Sequence, residues 1–222
     1  MKKKMIVIAG VILVVGAVLL TVFMFNNQKH KVQFFVNDKV VKVEEVKHGF
    51  SATPPIEPQV PYGSVFSKWD KDISNIKQDL DVHAVLQGFS DKTNVITVSS
   101  AYGDKGDEIF IPVSLCGNVC LCGLDCVLTY DADAVELISV FDEDGSLVYN
   151  KEEKGKIYLN YTSIKNTDAD VDLCMLKFKV LTATKNSDIK IAVTSIYALN
   201  EDNNYYKPEY NTIDSKIYST GE

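Results

Sequence analysis

Residues 5–25, MIVIAGVILVVGAVLLTVFMF, carry no charge. As a helix rising 1.5 Å per residue, a run of about 21 residues is long enough to cross a ~30 Å hydrocarbon core. It has no polar face at any period, which separates it from an amphipathic helix packed on a globular core. Lys2, Lys3 and Lys4 precede it and resist translocation, so residues 1–4 are expected in the cytoplasm and residues 26–222 outside. A cleaved signal peptide is the competing reading. The run exceeds a usual signal core, and Val22-Phe23-Met24-Phe25 offers no small-x-small cleavage site. The expectation is a single-pass cell-membrane anchor at 5–25.

The remainder is rich in Val, Ile, Thr and Tyr and lacks long stretches at helical period, which predicts a mainly β fold. Net charge is −7 and the chain contains no arginine. Nothing supplies the basic surface that a phosphate backbone requires, so nucleic acid is excluded as a partner.

Residues 32–87 read as a first small module. VQFFVNDKVVKVEEV gives two β-rich runs about a turn at Asn37-Asp38-Lys39. The proline-rich SATPPIEPQVPYGS predicts an irregular crossing. DLDVHAVL alternates as a closing strand. Trp69 suits the centre of so small a core better than a sugar-stacking platform. FFVNDKVVKVEEVKHGFSATPP and YGSVFSKWDKDISNIKQDLDVHAVL resemble the internalin-type B-repeat of bacterial surface proteins. That resemblance implies a β-grasp-like spacer or adhesive unit without catalysis. Tyr62-Gly63 departs from it, since the family usually reads Gly-Tyr there.

A polar linker at 88–94 leads into a second module at 95–219, whose alternating runs are separated by Gly, Asn and Asp clusters. That spacing predicts an all-β sandwich. GDEIFIPVSL, CGLDCVLTYDADAVELISV, GKIYLNYTS and DLCMLKFKV closely resemble the cohesin domain of cellulosome scaffolds. The resemblance implies a nine-stranded jelly-roll whose flat face docks a calcium-loaded dockerin, in the service of polysaccharide degradation. Cohesins share this fold with carbohydrate-binding modules, so a surface adhesin or glycan-binding module is the alternative.

Plain alternation along Cys120–Asp131 turns Cys120, Cys122, Leu124, Cys126, Leu128 and Tyr130 inward and Leu121, Gly123, Asp125, Val127 and Thr129 outward. The same rule applied to DLCMLKFKV turns Cys174 inward and Leu173 and Met175 outward. The candidate partner-binding face is therefore Leu121, Gly123, Asp125, Val127, Leu173 and Met175. Apolar residues on such a face give affinity and charges give register. The resemblance implies that Asp125 matches an interface acid, that Gly123 stands where cohesins often carry Asn, and that the strands of Cys126 and Cys174 are neighbours.

Cys116, Cys120, Cys122 and Cys126 are spaced C-x3-C-x-C-x3-C, which is not a zinc pattern, and buried free thiols are expected. Asp104, Asp107, Asp131 and Asp133 lack the EF-hand spacing, so no cofactor is expected here and calcium is expected on the dockerin. No histidine lies near a nucleophile motif, and the reading is a binding protein, not an enzyme.

Overall fold

The computed structural model describes residues 28–219, apart from 56–57, 59, 62–63, 90–93, 118–119, 143–144, 164–170 and 183–185. All the regular structure described is β. This corrects the expected fold class, which included a transmembrane helix: the segment 5–25 lies outside the described residues, and among those described no helix is long and apolar enough to cross a membrane.

The first module is a four-stranded mixed sheet of β1 (Lys29–Val36), β2 (Lys39–Lys47), β3 (Ser64–Trp69) and β4 (Leu80–Gly88), in the order β2-β1-β4-β3. β1 and β2 form the predicted hairpin. Its two turn residues, Asn37 and Asp38, have φ of 48° and 60°, the left-handed pair that matches the twist of a two-residue hairpin. β1 then pairs parallel with β4, so the chain must cross over between β2 and β3, and the proline-rich segment makes that crossing. Trp69 is 3 % exposed and meets Phe34 edge-on at 5.0 Å, a core role as its composition context suggested.

The second module comprises β5 (Asn94–Val98), β6 (Ala101–Tyr102), β7 (Glu108–Cys116), β8 (Cys120–Tyr130), β9 (Val135–Phe141), β10 (Leu147–Asn150), β11 (Lys156–Thr162), β12 (Val171–Val180), β13 (Asn186–Leu199), β14 (Tyr205–Tyr206), β15 (Tyr210–Ile213) and β16 (Ser215–Tyr218). One sheet runs β10-β11-β8-β13-β16-β6, with β14 beside β13; the other runs β15-β5-β7-β12-β9. Between them lies a core that includes Ile111, Leu128, Ile157, Leu176, Phe178 and Ile189, all essentially inaccessible. Each such side chain contributes roughly 1.5–3 kcal/mol through burial.

The sandwich thus has seven and five strands rather than the nine expected in all. Part of the excess arises because single runs change sheets. The last run pairs with β5 as β15 and then, past Asp214, with β13 and β6 as β16. The Asp214 carboxylate accepts the Ile191 N–H at 2.9 Å, taking up a backbone donor where the strand leaves one sheet for the other. β10 and β14 are short hairpin partners that alternation alone did not reveal.

Tyr102 joins the modules. Its hydroxyl accepts the Trp69 N–H at 3.0 Å, and its ring stacks on Tyr218 at 4.9 Å while packing against the first module's core. Burial pushes its phenol up to about 12.

Candidate partner-binding face

The outer surface of the seven-stranded sheet is built on β8. From Leu124 onward alternation holds: Leu124, Cys126 and Leu128 are buried, while Asp125, Val127 and Thr129 are half-exposed. Upstream it breaks. Gly123 pairs with Tyr197 and Leu121 with Ala198, so Cys122 is an extra residue, a β-bulge that reverses the sides before it. Leu121 consequently sits in the core at 0 % exposure, whereas Cys120 and Cys122 are only half-buried. This corrects the outward placement of Leu121 and the inward placement of Cys120 and Cys122.

A second bulge acts on β12. Asp172 pairs with Ser114 and Cys174 with Val113, leaving Leu173 as the extra residue. Leu173 and Cys174 are both 3 % exposed, so Leu173 is core and not surface. Met175 is half-exposed, but β12 belongs to the five-stranded sheet, where it pairs with Pro112 and Phe141. Outward residues of opposite sheets face opposite ways. Of the six candidates, Gly123, Asp125 and Val127 share one face; Leu121, Leu173 and Met175 do not belong to it. For the same reason the strands of Cys126 and Cys174 are not neighbours but lie in facing sheets.

Three strands converge on Asp125. Asn160 of β11 lies opposite it on one side and Ser195 of β13 on the other. Asn160 Nδ2 donates to one carboxylate oxygen and Ser195 Oγ to the other, while Thr194 Oγ1 donates to the Asp125 carbonyl at 3.1 Å. A bulge at Thr194 sets Ser195 in register. These two donors stabilise the anion, and the Ser195 hydroxyl, then the Asn160 amide, hold the Asp125 carboxyl below the usual range for aspartate. Each carboxylate oxygen keeps a further lone pair for an incoming donor.

Sequence reasoning missed the residues around this row. Ile157, Leu159 and Tyr161 of β11 are buried, so Tyr158, Asn160 and Thr162 face outward beside β8. The alternation in KIYLNYTS carries that signal. Asp125, Asn160, Thr162, Gly123, Tyr197 and Tyr205 contribute to a shallow depression of about 280 Å³. Tyr205 could not be placed from sequence, because its position depends on the β13–β14 hairpin.

Cys126 and Cys174 point into the core, and burial pushes both thiols up to about 12. None of the five cysteines is in a disulfide. Among the described residues no group of three or more His, Cys, Asp or Glu is placed to hold a metal ion. The candidate acids are occupied in separate turns: Asp107 accepts the Asp104 N–H at 2.9 Å, Asp131 accepts the Asp133 N–H at 2.9 Å, and Asp133 is bridged by Lys154 at 2.6 Å.

The cohesin domain family model matches residues 94–217, more than half of the chain. The chain belongs to the cohesin family. Solved structures agree on the fold of this cohesin. The seventh ScaB type I cohesin of Pseudobacteroides cellulosolvens is 22 % identical with a TM-score of 0.54, over 59 % of this chain and 94 % of that one. CaCohA2 of Clostridium acetobutylicum is 19 % identical with a TM-score of 0.51, over 59 % and 93 %. The sixth cohesin of Acetivibrio cellulolyticus scaffoldin B, in complex with a Cel5 dockerin mutant, is 17 % identical with a TM-score of 0.50, over 58 % and 99 %. No curated protein matches the chain.

Proposed function

We propose that this cohesin is a non-catalytic receptor that captures dockerin-bearing enzymes or scaffolds for polysaccharide degradation, through the outer face of β8, β11 and β13. The observation that carries the reading is the Asn160–Asp125–Ser195 row: an oriented, ionised carboxylate on a half-exposed sheet of a cohesin fold. Gly123 and Val127 flank it on β8, and Tyr158 adds apolar area beside Val127. Apolar surface around one charge supplies both affinity and register. Calcium belongs to the dockerin in this scheme.

The first module acts as a spacer of the internalin B-repeat kind, and the two modules work outside the cytoplasm at the cell surface. The Lys2–Lys4 triplet ahead of the uncharged run supports export. Protease shaving of intact cells should remove residues 28–219 from the surface; protection of both modules would count against this placement.

The binding experiment titrates the full chain with purified calcium-loaded dockerins, with chelator as control. Losing one member of a desolvated charge pair costs about 2–5 kcal/mol, so Asp125→Ala should weaken binding by roughly tenfold or more. Unchanged binding by Asp125→Ala would remove the proposed face. Calcium-independent binding to a plain polysaccharide would favour the glycan reading instead.

A further inference from the structure

Tyr197 of β13 lies beside Gly123 of β8, where the missing side chain leaves its ring uncovered on that edge. A Cβ at position 123 would lie 3.8 Å from Tyr197 Cδ2 and 3.9 Å from its Cβ, ordinary van der Waals contact, so the tyrosine borders the space above the glycine without filling it. Cys122 donates its thiol hydrogen to the Tyr197 carbonyl at 3.3 Å, tying the bulge to the same residue. Lys207 Nζ stands over the Tyr197 ring, 5.5 Å from its centroid.

Tyr205 continues this surface. It pairs with Leu199, two residues along β13 from Tyr197, so both tyrosines sit on one side of the β13–β14 hairpin. Tyr205 is 74 % exposed and Tyr197 40 % exposed, yet both border the depression that contains Asp125. The hairpin is held in advance of any partner. The Asn200 side-chain oxygen accepts the Asp202 N–H at 3.1 Å and the Asn204 N–H at 2.8 Å, and Asn200 N–H donates to the Asn204 carbonyl at 3.0 Å. A backbone ordered in this way lowers the entropy cost of binding, and tyrosine is among the residues that dominate interface energetics.

We propose that Tyr197 and Tyr205 form an aromatic shelf that accepts an apolar side chain of the dockerin beside its Asp125 contact, and that this shelf selects which dockerin the face binds. The inference rests on the reading of this face as dockerin-binding. The partner element it fits carries two features close together: a hydrogen-bond donor or cation for the Asp125 anion, and an apolar side chain to cover the rings. A polar side chain in the second place would be desolvated against the ring faces with less compensation than an apolar one gains there.

The test displays a library of calcium-loaded dockerins, randomised on the helix surface, and selects it separately against the full chain and its Tyr197→Ala/Tyr205→Ala, Gly123→Asn and Asp125→Ala variants. The unmodified chain should enrich dockerins with a large apolar residue at one position, bound roughly tenfold or more tightly than their serine counterparts. The double tyrosine variant should lose that preference while keeping sensitivity to Asp125→Ala, and Gly123→Asn, which adds an amide beside the Tyr197 ring, should shift it toward polar residues. Identical enrichment by the unmodified chain and the double tyrosine variant overturns the shelf alone. Failure to enrich any dockerin overturns the underlying reading and the shelf with it. Binding of a soluble polysaccharide that depends on Tyr197 and Tyr205 assigns the rings to a glycan and also overturns the proposal. Circular dichroism of each variant separates these outcomes from misfolding.

Discussion

Leu121 and Leu124 both point into the sandwich core, although an uninterrupted strand would turn residues three apart to opposite faces. The extra residue at Cys122 reconciles them, and it decides which side chains of β8 a partner can touch. Leu121→Ala should therefore behave as a core truncation costing about 2–5 kcal/mol. Val127→Ala, on the half-exposed face, should cost about 1 kcal/mol or less. Urea denaturation of both variants distinguishes them; equal costs would place Leu121 outside the core.

The thiols report the same geometry by reactivity. Cys126 and Cys174 are buried and their thiolates disfavoured, whereas Cys116, Cys120 and Cys122 are half-buried. Alkylation of the native protein followed by mass spectrometry should modify the latter three first and the former two only after unfolding. Native labelling of Cys126 or Cys174, or a mapped disulfide, would contradict the structure.

Much of this architecture was legible in the sequence because a strand buried on one face must alternate. The Asn37-Asp38 hairpin, the core position of Trp69 and the sandwich class all follow from period and turn chemistry. Asp125 and its outward neighbours Gly123 and Val127 were likewise readable, because alternation holds locally between Gly123 and Leu128. The errors at Leu121 and Leu173 share one cause. A bulge is invisible in composition, so Leu121 and Leu173 were assigned one position out of phase. Met175 failed differently: its side was right, but no local pattern says which of two sheets a strand joins. Ser195 and Tyr205 required that long-range pairing as well.

Buried thiols also make stability depend on alkali. Cys126 and Cys174 remain protonated in the fold up to about 12, while in the unfolded chain they ionise near the ordinary thiol value of about 8.5. The unfolded state then binds fewer protons, so their contribution is fully present below that value and is lost as pH rises toward the folded one. Urea midpoints should fall between about pH 8.5 and 10, and Cys126→Ala/Cys174→Ala should reduce that slope even though it lowers overall stability. An unchanged slope in the double variant would assign the alkaline loss to other groups.

Asp125 gives the opposite dependence in acid. Its folded pKa is depressed by the Ser195 hydroxyl and the Asn160 amide, so its contribution is present above the ordinary aspartate value and is lost as pH falls through the lowered folded value. The carboxylate at the centre of the partner face should stay ionised to lower pH than an exposed aspartate does. Carbon-detected NMR titration of the Asp125 carboxyl would measure this directly. Ser195→Ala should raise its midpoint, Asn160→Ala should raise it less, and the two together should return it close to an exposed aspartate. Because both donors lie on strands flanking β8, a midpoint indifferent to either substitution would mean that the row across β11, β8 and β13 does not hold the carboxylate in solution.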